Sequence, residues 1–511
     1  MNRRTLLAVL LLPSAAACGG RSFKEPQTLA EWRPARPVTN AGVVPEDESF
    51  RATPPPRAAS RLRPLSPPTE ARLSNGVRVV MLERHDFPMV SAVVTLDRGA
   101  AAGAPGVVAL YSEAMTSSST TYKATEAWQY LNYVGGAVHS DAWRDGVVLQ
   151  VTALSPLFVS ALTRAAPMFT SPAFDGDDLD EARTRLSAKS ANRDEAPGVV
   201  AHEALYAELF PPPHPYGTPI SGERARLGGG KPIAADKKKV TNEAVKEFHA
   251  SNVFADRVGI AVVGDFKPES MLRVLEKNLG KLPKRSASPA AAAPLVPAVA
   301  RSSVRRIVLI DRPGAAQSNV AIGWPGPRAS EPELVTLDVL AGATAGDLST
   351  RLNITVRKEL GATYGVRMAA VGYRDAGVVR ITAAIDTART TDALRGLFKE
   401  LERLRAEPLT PAELVAAKLR SYENLERGST RGLAIHLGSA MVDGLPLAQA
   451  VTHNARVDLV TADGVRGAAE RWLAPGEARI VVVGDAARIT EGLRTLGLGD
   501  VVVTAGAADK P

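Results

Sequence analysis

The two halves of this chain end in nearly the same way. Residues 259–266 read GIAVVGDF, residues 478–485 read ARIVVVGD, and a short helical pattern follows each run. Apolar runs of this kind are typical of buried strands, and their recurrence at matching places favours an internal duplication of one α/β unit. We therefore expect two related domains of about 200 residues each instead of one large domain.

Alanine and proline mark the boundary between these two units. Residues 287–299 read ASPAAAAPLVPAV, a stretch without charge and without an amphipathic face. Such composition is typical of a linker. The predicted segments are a first domain at 70–285, a linker at 286–301, a second domain at 302–500 and a tail at 501–511.

The first eighteen residues have the features of an export signal. Arg3 and Arg4 precede an apolar stretch, and small residues then lead to Cys18, the only cysteine of the chain. This run resembles the lipoprotein box of bacterial lipoproteins, although Ala15 stands where leucine is usual. We interpret residues 1–18 as a lipoprotein signal peptide and Cys18 as the lipidation site. The alternative is a secreted protein with an ordinary cleavage site.

The next fifty residues are predicted to be a disordered tether. Residues 19–69 are rich in proline and alanine and have no sustained apolar period. Because Gly19 instead of aspartate follows the cysteine, we expect a lipid anchor on the periplasmic face of the outer membrane. The mature protein would then lie in the cell envelope.

Composition excludes several functional classes. The chain has 62 Lys+Arg against 54 Asp+Glu, a charge of +8 that is spread along its length. Without basic runs it is not expected to bind nucleic acid. A single cysteine also excludes disulfides within the chain and thiolate zinc sites.

Several passages appear in a characteristic order. Predicted strands at 77–82 and 90–96 precede a helix at 106–119, a second helix at 125–133, Gly135-Gly136 and a strand at 146–154. The most distinctive stretches are LSNGV at 73–77, LFPPPHPYG at 209–217, VVGDF at 262–266, DRPG at 311–314 and RKELGATY at 357–364.

In order and spacing these passages resemble the pitrilysin and insulinase (M16) family of zinc peptidases, over residues 72–500. The resemblance implies an α+β fold with two homologous domains facing each other like a clamshell. Each domain would be a mainly antiparallel sheet with helices on one side.

The resemblance also identifies the place of the zinc site. Active members carry His-x-x-Glu-His on the helix predicted at 106–119, where the histidines bind zinc and the glutamate activates water. Here Ala109 and Glu113 stand at the histidine positions and Ser112 at the glutamate position. The third ligand would fall near Ala188 or Lys189. We therefore expect a degenerate motif, no metal and no cofactor in this chain, with Glu113 interpreted as a solvated helix residue.

A metal site built from scattered residues is the alternative. No two histidines stand four residues apart, as they would on one face of a helix. The seven are His85, His139, His202, His214, His249, His436 and His453. We interpret His214 as a loop residue, His202 as a helix-surface residue and the others as surface or half-buried side chains.

The second domain keeps its motif. In active relatives an arginine and a tyrosine seven residues apart hold substrate and stabilise the oxyanion, and Arg357 and Tyr364 fill both places. The alternative is structural: Arg357 pairs with Glu359 or a neighbouring helix, and Tyr364 packs at a strand start. Residues 342–353 read GATAGDLSTRLN and allow two interpretations that we weigh equally. They form either a glycine-rich stretch that lines the space between the halves or a flexible loop at the start of a helix.

Loss of one motif and retention of the other suggest a division of labour. The leading hypothesis is a zinc-less partner subunit that supplies Arg357 and Tyr364 to a zinc-bearing sister subunit acting on a peptide substrate. A non-catalytic peptide-binding or scaffold lipoprotein is the alternative. Unaided hydrolysis is the least favoured hypothesis.

Overall fold

Two six-stranded sheets form the framework of the protein, seen here in a computed structural model. The structure describes residues 67–221, 240–285, 306–422 and 428–505. Cys18, the predicted signal peptide, most of the predicted tether and the whole predicted linker lie outside the described residues. Within the described part, no helix is both long enough and apolar enough to cross a bilayer.

The first half contributes six strands and seven α-helices to the described structure. Its strands are β1 (Thr69–Arg72), β2 (Arg78–Glu83), β3 (Met89–Leu96), β4 (Ala137–Ala142), β5 (Val147–Leu154) and β6 (Val258–Gly264). Its helices are α1 (Val107–Met115), α2 (Ala124–Tyr133), α3 (Ser155–Thr170), α4 (Gly176–Glu195), α5 (Pro197–Leu209), α6 (Asn242–Asn252) and α7 (Pro268–Leu279).

The second half contributes six strands and nine α-helices to the described structure. Its strands are β7 (Arg306–Asp311), β8 (Gln317–Gly326), β9 (Thr363–Gly372), β10 (Gly377–Asp386), β11 (Arg479–Gly484) and β12 (Asp500–Thr504). Its helices are α8 (Glu333–Ala345), α9 (Arg351–Asn353), α10 (Thr390–Ala406), α11 (Pro411–Ser421), α12 (Thr430–Val442), α13 (Leu447–Val451), α14 (His453–Leu459), α15 (Ala462–Trp472) and α16 (Ala486–Arg494).

The sheet topology confirms the duplication. The first sheet has the order β1-β2-β6-β3-β5-β4 and the second the order β12-β7-β11-β8-β10-β9. Five consecutive strands therefore correspond. The two apolar runs seen in the sequence form β6 and β11, and each pairs in parallel with the corresponding strand, β2 or β7. The other three pairs among these five strands are antiparallel in each sheet. The predicted α+β fold with two mainly antiparallel sheets is confirmed.

One face of each sheet packs on helices of its own half. In the first core Leu110 of α1 and Phe158 of α3 pack with inward-facing strand residues such as Val94. In the second core Leu397 of α10 occupies the equivalent layer beside Ile322 of β8. Alternating side chains on each strand assign one set to this core and the other set to the opposite face.

The opposite face of each sheet is covered by a helix from the other half. α5 lies on the second sheet, where Leu205 packs with Val308 and Val481. Reciprocally, α12 lies on the first sheet, where Leu437 packs with Val93. Helices on one side were expected, and the structure adds this exchanged helix on the other side because that face also consists of apolar side chains.

Equivalent hairpin turns meet where the halves join. The β4–β5 turn reads Trp143-Arg144-Asp145-Gly146 and the β9–β10 turn reads Tyr373-Arg374-Asp375-Ala376. Arg374 donates hydrogen bonds to the carbonyl oxygens of Asp97, Asp145 and Val442 at 3.1, 2.9 and 2.6 Å. The last of these is the carbonyl at the end of the exchanged helix α12.

The other turn makes the corresponding contact with the segment after α5. Arg144 donates to the carbonyl oxygens of Tyr216 and Thr218 at 2.5 and 3.2 Å. The phenol of Tyr216 in turn donates to Asp145 at 2.7 Å and accepts from the amide of Asp375 at 3.3 Å. The two repeated turns thus hydrogen-bond to each other and to the segments that follow α5 and α12.

The second sheet extends beyond the predicted end of its domain. A tail was expected from residue 501, but β12 pairs in parallel with β7, with Val502 opposite Val308. The reason is the run of three valines at 501–503, since β-branched side chains favour an extended strand.

Candidate functional site

Helix α1 places the degenerate motif in the middle of the first core. Tyr111 packs against Phe248, with ring centroids 5.0 Å apart, and its hydroxyl lies 3.1 Å from Nδ1 of His249. Every residue of α1 except Glu113 is buried. The helix is therefore fixed on one side by α6 and presents its remaining side chains to β4 and α4.

The three motif positions lie together but do not form a metal site. Ala109 is buried and has only a methyl group, and the hydroxyl of Ser112 is 2.8 Å from that of Ser140 on β4. Zinc in proteins is held by nitrogen, sulfur or carboxylate ligands, usually three or four of them. Of these three positions, only Glu113 offers such a group.

Two cations from α4 bind the Glu113 carboxylate. Arg185 Nε donates to one oxygen at 2.8 Å and Lys189 Nζ to the other at 2.6 Å. The Glu113 side chain is 16% exposed, so the interpretation as a solvated helix residue is wrong. The prediction failed because α1 packs against α4, where Arg185 and Lys189 both reach the Glu113 carboxylate.

The electrostatics of this cluster oppose a metal cation. Partial burial alone would raise the pKa of Glu113, but hydrogen bonds from Lys189 and Arg185 outweigh it and leave the pKa below its ordinary value. Lys189, one of the two positions at which the resemblance predicts the third ligand, carries a positive charge instead of a carboxylate. A zinc ion in this place would be repelled by both cations, and the residues present do not fit it.

The other titratable groups do not assemble a substitute. Among residues 67–221, 240–285, 306–422 and 428–505, no three His, Cys, Asp or Glu side chains are grouped so that they could hold a metal ion. His139 and His85 pair with nearby carboxylates on the surface. His249 is largely buried, which lowers its pKa to about 4.

Arg357 and Tyr364 are brought together in the second half. Arg357 lies in a π-helical turn, Ile354–Glu359, and its Nη1 donates to the backbone carbonyl of Tyr364 at 2.5 Å. π-helical turns are rare and are frequent at functional sites. The pairing of Arg357 with Glu359, one of the structural alternatives, is not seen among the described contacts.

The Tyr364 phenol is directed to solvent. Its side chain is 85% exposed at the start of β9, the edge strand of the second sheet. Packing at a strand start, the structural alternative, is therefore wrong for this residue. A guanidinium and an exposed phenol held within one turn–strand unit are hydrogen-bond donors available to an external acceptor.

The glycine-rich stretch before this unit is structural. Gly342 lies inside α8, where a Cβ would come within 2.9 Å of the Ala417 carbonyl oxygen on α11. Arg351 is buried and forms a bidentate ion pair with Glu413, at 2.7 and 2.9 Å. Residues 342–345 therefore belong to a helix–helix contact and not to the flexible loop that was one of the two alternatives.

Sequence reasoning missed several features of this region. The partners of Glu113 lie more than 70 residues away on α4, so no local pattern indicates them. His202 packs on Tyr206, with ring centroids 4.5 Å apart, and approaches Arg380 of the second sheet. His214 is 5% exposed although it lies in a loop. The repeated aromatic-Arg-Asp turns are visible in the sequence and were the one available signal for the junction.

Comparisons with known proteins identify the family and the fold of this chain. Residues 78–220 match the family model described as Insulinase (Peptidase family M16), and residues 239–420 match the model described as Peptidase M16 inactive domain. An uncharacterized zinc protease of Mycobacterium tuberculosis is 24% identical over 354 residues, which cover 69% of this chain and 78% of the relative.

Solved structures show the same fold. A peptidase M16 inactive domain from Pseudomonas fluorescens superposes with a TM-score of 0.73 at 22% identity, covering 82% of this chain and 98% of that one. A protease from Helicobacter pylori gives a TM-score of 0.72 at 17% identity, covering 82% and 100%. The chain belongs to the M16 peptidase family, and its sequence contains no His-x-x-Glu-His.

Proposed function

We propose that this protein is the zinc-less partner subunit of a heteromeric metallopeptidase. It supplies Arg357 and Tyr364 to the active site of a zinc-bearing M16 sister subunit, which acts on peptides or proteins in the cell envelope. Cys18 carries the lipid that anchors the complex, on the periplasmic face of the outer membrane.

The observation that carries this proposal is the contrast between the two motifs. Glu113 is paired with Arg185 and Lys189, whereas Tyr364 is 85% exposed. A phenol on an edge strand has no structural need for this exposure, since a buried or hydrogen-bonded tyrosine would contribute more to stability. Donation to a substrate carbonyl gives the exposed group a role.

The test is reconstitution with a sister chain that carries His-x-x-Glu-His. We expect the mixture to hydrolyse peptide and Tyr364→Phe or Arg357→Lys to lower its kcat/KM by about 10² to 10³, as removal of an oxyanion donor does. Tyr133→Phe is the matched control, because Tyr133 is 87% exposed but lies on α2 of the first half. Equal activity of all these mixtures would overturn the proposed role.

Metal analysis separates this function from unaided hydrolysis. We expect the purified chain to contain no stoichiometric zinc, and one zinc per chain would contradict the proposal. If peptide binds this chain with the same affinity in the presence and absence of the sister, and no activity appears in the mixture, the second hypothesis of a peptide-binding or scaffold lipoprotein replaces it.

A further inference from the structure

The edge formed by β12 is the least protected of the four sheet edges in the described structure. β12 pairs with β7 on one side, and no strand of the described residues lies on its other side. An edge strand presents backbone amides and carbonyls without partners, which makes it a template for pairing with another strand. Val502 and Val503 are 43% and 46% exposed along this edge.

The other three edges carry charges that oppose such pairing. β1 contains Glu70 and Arg72, β4 contains Asp141, and β9 contains Arg367. Charged residues and proline on edge strands are the common protection against association of one sheet edge with another. β12 reads DVVVT, so its only charge is at the first residue, and the four residues that follow include no proline. This edge is therefore open to a further strand.

Exposed valines lie on both faces of the sheet at this edge. Successive side chains of a strand point to opposite faces, so Val502 and Val503 are on different sides. Val502 is opposite Val308, which packs under α5, whereas Val501 packs at the rim of the second core. A strand added to β12 would therefore bury apolar side chains on both faces in addition to pairing its backbone.

The sequence of β12 is complementary to a second copy of itself. In an antiparallel pair centred on Val502, Val501 of each chain would face Val503 of the other. Asp500 would face Thr504, so no two like charges oppose each other. Facing residues are then an even number of positions apart, so the backbone groups that point outward on one strand meet those that point outward on the other.

This edge and the Arg357–Tyr364 unit lie on opposite sides of the second sheet. β12 is the first strand of the sheet order, and β9, which contains Tyr364, is the last. Four strands separate them, which corresponds to about 24 Å at the usual strand spacing. A chain paired with β12 therefore leaves Tyr364 accessible, and its binding does not depend on the proposed peptidase partnership.

We propose that two copies of this protein associate through β12, by antiparallel pairing centred on Val502. The pairing joins the two second sheets into one continuous sheet and covers Val502 and Val503 of both chains. Because the contact has two-fold symmetry, it uses the open edge of each copy and the assembly ends at two chains.

Sedimentation of the full chain, without any sister chain, tests this proposal. All samples carry Cys18→Ser, which excludes association through a lipid or an intermolecular disulfide. We expect an equilibrium between monomer and dimer. Val502→Lys, which places two lysines opposite each other at the axis, should weaken association about hundredfold. Val415→Lys is the matched control, since Val415 is 60% exposed on α11 of the same half.

A pair of opposite charges tests the register. Val502→Lys and Val502→Glu should each be monomeric alone and should form a one-to-one complex when mixed, because opposite charges then meet at the axis. Such a complex also shows that both variants fold. A natural chain that stays monomeric, a dimer that Val502→Lys does not weaken, or a mixture that does not associate would overturn the proposal. A complex through β12 that forms only with a zinc-bearing sister chain would overturn it as well, since the edge would then have a different occupant.

Discussion

The carboxylate of Asp443 is less favourably solvated in the folded protein than in water. It follows the last residue of α12, where the helix dipole already disfavours negative charge. Burial and the neighbouring Asp145 carboxylate raise the pKa of Asp443 to about 6, and Arg374 offsets this only in part. The carboxyl is therefore ionised at pH 7 at the expense of stability.

The sign of the pH dependence follows from this raised pKa. An unfolded aspartate titrates near pH 4, so between about pH 4 and 6 the folded state binds more protons than the unfolded state. Stability then falls as pH rises through this window, and the full penalty is present above pH 6.

Asp443→Asn should remove this penalty. We expect the free energy of unfolding to rise by about 1–2 kcal/mol at pH 7.5, less than the roughly 3 kcal/mol that two pH units imply, because the side chain keeps part of its exposure. At pH 4 the variant and the natural protein should be equally stable. Urea unfolding at both pH values measures this, with the exposed Asp180→Asn as control; a gain that is the same at both pH values would contradict the assignment to Asp443.

At the scale of elements, the N-terminus of α11 is fixed by a shared carboxylate. Thr410 and Glu413 form a capping box, and Glu413 also binds Arg351 of α9. The Arg351 hydrogen bond is the largest cause that lowers the pKa of Glu413 to about 2. The Glu413 side chain thus caps the N-terminus of α11 and links this helix to the segment that precedes Arg357.

Glu413→Gln separates the two roles. Glutamine still completes a capping box, but it leaves buried Arg351 without its counter-charge, so we expect the free energy of unfolding at pH 7 to fall by about 2 kcal/mol. Because the natural pKa is lowered, this contribution is present above about pH 4.5 and is lost as pH falls towards 2. Chemical unfolding at pH 7 and pH 2.5 tests this; Thr410→Ser, which keeps the cap, should change little at either pH.

Elements with a strong local period were predictable from the sequence. The predicted helix at 106–119 is α1 at Val107–Met115, and the predicted strand at 90–96 is β3 at Met89–Leu96. The resemblance to the M16 family likewise predicted that Arg357 and Tyr364 act together. Their contact through a backbone carbonyl was not predictable, because it depends on the π-helical turn.

Contacts between residues that are far apart in the chain could not be predicted from a local sequence pattern. Periodicity identifies which face of α5 or α12 is apolar, but it does not identify the sheet that covers it. The same limit applies to Glu113, whose position in the motif was known while its cationic partners on α4 were not. The region from Cys18 to the first strand stays a prediction.

At the scale of the whole molecule, each half completes the core of the other. The outer face of the first sheet contains Val80, Val93 and Val263, which α12 covers. The outer face of the second sheet depends in the same way on α5. Either half alone would expose a sheet-sized apolar surface, which isolated soluble domains rarely do.

A chain cut between residues 295 and 296 should therefore fold only as a complex of its two fragments. We expect fragment 61–295 and fragment 296–511 each to aggregate or to bind a hydrophobic dye when alone, and to form a soluble one-to-one complex when expressed together. Leu437→Asp, which buries a charge under α12, should abolish the complex. Leu459→Asp is the matched control, since this leucine is 80% exposed. If fragment 61–295 alone unfolds cooperatively with the stability of the intact protein, the exchanged helices are not required. The expected result instead makes the two halves one cooperative unit, in which the junction turns containing Arg144 and Arg374 set the orientation of the halves.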